Sequence, residues 1–235
     1  MAAVPAVRHG FTTRESGNLA LHRGDSAEVV AENWRGALQM LEPSAELHRL
    51  AIVHQVHGAD VVEGPVPRGP LVPVGDADAL VTTEAGVVLG IRVADCVPVL
   101  LSGPGVVGAV HAGWRGAAAG VVGATVGVMT QGVGASELVA TVGPSIGGAS
   151  YEVGDEVVDG LRAAGSALDV FVVGRSARGR ALVDVGAAVM DQLRRLGVGR
   201  VERVAGCTFE RHDLWSHRRD GEAGGRQAAL IVRLP

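Results

Sequence analysis

The chain has 235 residues, 47% hydrophobic but only 3% aromatic, with 35 glycines and a formal net charge of −4. That length supports a sizeable core of Val, Leu and Ala, and the mildly acidic balance excludes a general affinity for nucleic acid or acidic membranes. All 21 basic residues are arginine, which excludes Schiff-base chemistry and a lysine-dependent phosphate loop and leaves anions to guanidinium or backbone N–H groups.

Residues 6–13 read as a first strand, ending at Thr13-Arg14. From Asp25 a helix is predicted, because Val30, Trp34, Leu38 and Leu41 share a face and Pro43 closes the pattern. Strands are expected over 50–56 and 59–63, then a Pro-rich loop at 64–73, ended by Asp76 and Asp78, and a strand at 79–83. Apolar runs at 87–93, 97–101 and 106–111, bounded by turn residues, predict three further strands. The Gly- and Ala-rich stretch 116–130 predicts one helix packed closely on a sheet, and its weak hydrophobicity argues against a membrane span.

Beyond it the pattern predicts a strand at 138–142, a helix at 151–164, a strand at 169–173 and an exposed turn at 175–180. An amphipathic helix is expected over 184–196, with Val185, Val189, Leu193 and Leu196 inward. Strands at 201–206 and 228–234 enclose an Arg- and His-rich loop, 209–225, whose His212, His217, Arg218 and Arg219 are expected in solvent unless the loop covers a cleft. No linker or fixed-period repeat interrupts the succession. One domain, 1–235, of mixed sheets flanked by helices is predicted. The two cysteines make no secreted disulfide framework and the first residues lack a signal-peptide pattern, so a cytoplasmic protein with reduced thiols is expected.

Chemistry concentrates in the middle of the chain. Cys96 falls just before one predicted strand and His111 at the end of the next, while His57 follows the strand at 50–56. Rigid strand ends at Gly-rich turns are where reactive groups usually sit. Two imidazoles and a thiolate suit zinc, and three protein ligands leave a fourth position open, as in catalytic sites. The same residues also permit a nucleophilic Cys96 with His111 as its base. A free cysteine between strands is otherwise a small buried hydrophobe. His54 stands second as a ligand, Cys207 reads as structural, Trp114 as a packing residue, and Arg115 as a group able to reach an anion.

The motifs HQVHG (54–58), DADALVT (76–82), ADCVPVLL (94–101), HAGWRG (111–116) and GPSIGGASYEV (143–153), in this order, resemble the YfiH-type laccase-domain family. That family is known under the names polyphenol oxidase, purine nucleoside phosphorylase and peptidoglycan editing factor. The resemblance implies an α+β fold, a four-layer α/β/β/α sandwich of mixed sheets flanked by helices. It implies zinc, or copper, held by His57, Cys96 and His111, and a pocket lined by Arg14, Asn18, Arg115 and Arg218. The implied activity is phosphorolysis of purine nucleosides including methylthioadenosine, with adenosine deamination beside it, by a monomer or weak homodimer. A cysteine hydrolase or amidase acting on peptidoglycan precursors is the alternative. Copper phenol oxidation is weaker still, because no H-x-H pair occurs. The chain departs from the family pattern after Arg14, where the loop is short, and at His217, where an aromatic residue usually precedes the arginines.

Overall fold

The computed structural model describes residues 6–21 and 24–235. In chain order the first elements are β1 (Val7–Phe11), α1 (Ala27–Leu41), β2 (Leu50–Ile52), β3 (Val61–Glu63), β4 (Ala79–Thr82) and β5 (Val88–Val93). The central ones are β6 (Val97–Gly103), β7 (Val106–Ala112), α2 (Trp114–Ala119), α3 (Val121–Met129), β8 (Val139–Val142) and β9 (Glu152–Val153). There follow α4 (Asp155–Ala163), α5 (Leu168–Phe171), β10 (Val172–Arg175), β11 (Ala181–Val183), α6 (Val185–Arg195), β12 (Arg200–Arg203), α7 (His217–Asp220) and β13 (Gln227–Arg233).

Two large mixed sheets result, one in the order β1-β13-β5-β2 and one in the order β12-β8-β6-β7-β4-β3. Each must bury two faces, and three apolar clusters do so. Trp34, Leu38 and Val30 of α1 pack on Leu50, Ile52 and Leu230 of the four-stranded sheet. Leu89, Ile91 and Ile231 of that sheet meet Leu80, Leu100 and Val107 of the six-stranded sheet. The far face of the six-stranded sheet, with Val99, Leu101 and Val110, is covered by Ala117, Val122, Leu161 and Val189 of α2, α3, α4 and α6. The architecture is the α+β, four-layer α/β/β/α sandwich that the motifs imply, with the central strands of both inner layers buried on both faces and the edge strands β1 and β12 partly exposed.

Local chemistry explains the element ends. The Ser26 hydroxyl accepts from Val29 N–H and caps α1, whose buried Trp34 donates its indole N–H to the Leu19 carbonyl at 3.1 Å. The β6–β7 hairpin turns through Pro104 and Gly105, the glycine at φ 75°, a backbone state that costs a residue without Cβ little.

Several expectations require correction. The helix expected over 116–130 is two helices, because Gly120 adopts φ 89° and ends the first before the second begins. The strand expected over 50–56 stops at Ile52, after which His54 makes an isolated bridge to Asp76. Residues 151–153 are not the start of a helix, since β9 pairs with β11 and α4 begins only at Asp155. Where 169–173 reads as a strand, α5 precedes β10, whereas the exposed turn expected at 175–180 is present, as the tip of a β10–β11 hairpin. Leu196 lies past the end of α6 and is exposed rather than inward.

Candidate active site

The register of the six-stranded sheet builds the site. Val97 pairs with Ala112 and Pro98 with His111, so Cys96, one residue before β6, comes beside the last turn of β7. His57 arrives from the loop after β2 with φ 61°, a positive value rare for a residue with a side chain. The ligand-capable atoms of His57, Cys96 and His111 all lie within 4.8 Å of one another. Cys96 Sγ is 3.9 Å from His57 Nε2, and the two imidazole rings meet edge to face with centroids 4.8 Å apart.

Asp78 holds two of the three donors in place. Its side chain is fully buried, and its Oδ1 accepts from His111 Nδ1 at 2.7 Å and from His57 N–H at 3.0 Å. Its Oδ2 accepts from Gly58 N–H at 2.6 Å and Val56 N–H at 3.2 Å. The Nδ1 proton of His111 is thereby committed to the carboxylate, and Nε2 is the nitrogen left for a cation, as is usual for a metal-ligating histidine. This donor set fits zinc: imidazole, imidazole and thiolate converge, and a fourth position stays open toward a cleft.

The electrostatics agree with the geometry. Burial pushes the Cys96 thiol up, but His111 and His57 together outweigh it and bring the thiol down to about 6. Burial likewise disfavours charge on His111, yet Cys96 and Asp78 raise it to about 9. Without a metal, Cys96 and His111 each favour the charged form of the other. Burial alone would raise Asp78, whereas the hydrogen bonds from His111, Gly58 and His57 hold it below the usual carboxylate range.

The glycines of HAGWRG make the site possible. A Cβ on Gly113 would stand 3.0 Å from His57 Cδ2 and 3.1 Å from Cys96 Sγ, and one on Gly116 would stand 2.9 Å from the Gly58 carbonyl. The donors open into a cleft of about 280 Å³ whose walls include Asp95, Trp114, Arg115, Ile146, Tyr151, His217 and Arg218. Arg115 stacks over Trp114 at 4.4 Å, and Arg218 over Tyr151 at 4.9 Å while donating to the Glu152 carbonyl at 3.2 Å. Burial raises Tyr151 above its ordinary value, and Cys96 adds to that.

Among the arginines and amides singled out in the sequence, the structure brings Arg115 and Arg218 to the cleft but not Arg14 or Asn18. Arg14 pairs with Asp220, donates to the Leu214 carbonyl at 3.0 Å and stacks over Trp215. Asn18 is buried, with its amide N bonded to Ala20 O and Asp25 Oδ2, each at 2.9 Å, and its Oδ1 accepting from the N–H groups of Ala20 and Arg226. His54 faces solvent with Asp76 at 2.9 Å. Cys207 is a free thiol outside the donor group, accepting from Gly147 N–H at 3.1 Å. His217 and Arg218, expected in solvent unless their loop covers a cleft, form its rim. Asp78 and Asp95 were legible only as part of motifs, and no spacing rule marks either.

The chain combines a four-layer α+β fold with a His-Cys-His group that could hold a metal ion. The family model described as multi-copper polyphenol oxidoreductase laccase matches residues 7–234, and the chain belongs to that family. A Streptomyces coelicolor protein named purine nucleoside phosphorylase is 38% identical over 94% of this chain and 93% of its own. The crystal structure of YlmD from Geobacillus stearothermophilus is 32% identical, with a TM-score of 0.90 over 100% of this chain and 94% of that one. The crystal structure of the Bacillus licheniformis protein YfiH is 26% identical, with a TM-score of 0.88 over 97% and 93%. Among the described residues no helix is long and apolar enough to cross a membrane.

Proposed function

We propose that the chain is a zinc-dependent purine nucleoside phosphorylase of the cytoplasm, acting as a monomer or weak homodimer, with methylthioadenosine phosphorolysis and adenosine deamination as accompanying activities. The observation that carries the reading is the convergence of His57, Cys96 and His111 within 4.8 Å on the floor of a cleft walled by Arg115 and Arg218. The relatives named purine nucleoside phosphorylase support the substrate class.

His57, Cys96 and His111 would hold the zinc, which when bound would supply Lewis-acid chemistry. Everything else is the work of this chain. Arg115 and Arg218, each braced on an aromatic face, hold phosphate by charge-assisted hydrogen bonds beside the sugar. In phosphorolysis a phosphate oxygen bonds to the anomeric carbon as the carbon–nitrogen bond to the purine breaks. Trp114 and Tyr151 narrow the cleft around the reacting sugar, which favours one approach direction. Arg14 and Asn18 serve one step removed, by fixing the segments behind the rim. Copper and phenol oxidation are not favoured, because the donor group lacks both paired H-x-H histidines and a methionine.

A second reading has its own support. The Cys96 thiol, lowered to about 6 beside His111 raised to about 9, is also the arrangement of a cysteine hydrolase. Metal analysis of protein purified without a metal-affinity tag separates the two, combined with adenosine and inosine turnover with and without phosphate and the variant Cys96→Ala. About one zinc per chain and phosphate-dependent base release abolished in Cys96→Ala is the expected result. Metal-free protein inert toward nucleosides would overturn the proposal and direct the thiol to muropeptide amides.

A further inference from the structure

The bend that leads through Cys96 into β6 contains an aspartate in an unusual backbone state. Asp95 has φ 82°, in the left-handed region that few residues with a side chain occupy. Such outliers persist where the surroundings over-determine them, and three groups here do so. Asp95 Oδ1 accepts from Thr208 Oγ1 at 2.5 Å, Oδ2 from the N–H of Arg218 at 2.6 Å, and its carbonyl from the N–H of Ile146 at 3.0 Å. Thr208 and Arg218 lie 113 and 123 residues further along the chain. One residue thus joins two segments that border the cleft, one at Ile146 and one running from Thr208 to Arg218, at the position next to Cys96.

The segment it holds is stiff within itself. The Arg219 guanidinium donates to the carbonyls of Thr208, Phe209, Arg211 and Leu214 and pairs with Asp220, which also pairs with Arg14. The segment's other ties on the cleft side run to residues 145–152: Thr208 N–H to Ser145 O at 3.0 Å, Gly147 N–H to Cys207 Sγ, Ser150 Oγ to Glu210 and Arg218 to the Glu152 carbonyl. That stretch is itself held by the Asp95 carbonyl through Ile146. On its far side the segment is tied to Arg14 and to Gln227 of β13 through Asp213, Leu214 and Trp215, so what Asp95 fixes is the edge that faces the cleft.

We infer that Asp95 is a positioning residue that sets the Arg218 rim at a fixed place relative to Cys96. Both carboxylate oxygens are occupied by donors, so its role is to hold the rim rather than to carry a proton. The consequence for substrate rests on the nucleoside phosphorylase reading; the consequence for the rim does not. Asp95→Gly removes both side-chain bonds and suits the positive φ, while Asp95→Asn keeps one acceptor oxygen, for the Arg218 N–H, presents its NH2 to the Thr208 hydroxyl, and loses the charge.

Hydrogen exchange of the amides in 208–220, metal content, and KM against kcat for inosine test this on the full-length metal-loaded protein. In Asp95→Gly the expected result is a rise of about tenfold or more in exchange over 208–220, with β6 unchanged and metal retained. KM should rise more than kcat falls, and Asp95→Asn should fall between the variant and the parent. Unchanged exchange over 208–220, or loss of metal without any change at the rim, overturns the inference. If the parent protein turns over no nucleoside, the function proposal fails and the exchange measurement alone decides the role of Asp95. If Asp95→Gly does not fold, Thr208→Val, which withdraws one donor, must raise the same exchange or the inference falls.

Discussion

A carboxylate with no exposure needs donors on every side, and Asp78 has four, three of them backbone N–H groups on the loop that carries His57 and one on the His111 ring. Asp78→Ala leaves those donors unpaired in a dry site and frees the His111 ring to rotate. Metal affinity is expected to fall about 10- to 100-fold, as for other partners of ligating histidines. Competition with a chromogenic chelator measures it, and an affinity equal to the parent's would show that the ring is held by packing alone. Little of this role is legible in the sequence, where Asp76 and Asp78 read alike as residues that end a loop. What separates them is the β4–β7 register, which pairs Ala79 with Val110 and sets the His111 N–H 2.7 Å from the Asp78 carbonyl. Cys96 and His111 are easier, because apolar runs ending at small residues already mark strand ends.

At the scale of elements, the Arg- and His-rich segment between β12 and β13 shows charge used internally. Its residues read as a solvated loop, yet Arg219, Arg14 and Asp220 staple it. Burial pushes Asp220 up, but Arg219, the Ser216 N–H and Arg14 outweigh that and bring it from 3.8 down to about 2. A folded value below the unfolded one means the contribution is complete above pH 3.8 and is lost as pH falls toward 2. Asp220→Asn at pH 7 should cost roughly 1–2 kcal/mol in thermal or urea unfolding, with the difference from the parent shrinking below pH 4. An equal deficit at pH 7 and at pH 2.5 would contradict the assignment. Other elements are hidden for a different reason. Gly120 interrupts what composition shows as one small-residue helix, and β9 and β11 are too short, at 2 and 3 residues, to carry a period.

Across the whole molecule, the central strands of the six-stranded sheet have no wet face, and only its edges meet solvent. Consecutive residues Leu100 and Leu101 are 2% and 0% exposed, yet the first belongs to the core between sheets and the second to the core under the helices. Leu100→Ala and Leu101→Ala should each destabilise the protein by about 2–5 kcal/mol in urea unfolding. A sheet with one solvated face would show the loss for one of the pair only, and that outcome would contradict the four-layer arrangement. This much of the architecture was visible beforehand. The unbroken apolar run at 97–101 already reads as a strand buried on both sides, whereas which sheet it joins depends on partners tens of residues away.

The β6–β7 hairpin sets an order of assembly for the donors. Cys96 and His111 are 15 residues apart in the chain and meet once that hairpin closes, while His57 lies 39 residues before Cys96. It comes from the loop after β2, a strand of the other sheet. The difference in loop-closure entropy alone favours the first contact by about 1 kcal/mol. Two donors are therefore a property of local connectivity and the third a property of the loop that crosses from β2 of one sheet to β3 of the other, so a cation that engages all three would pin that crossing to the hairpin.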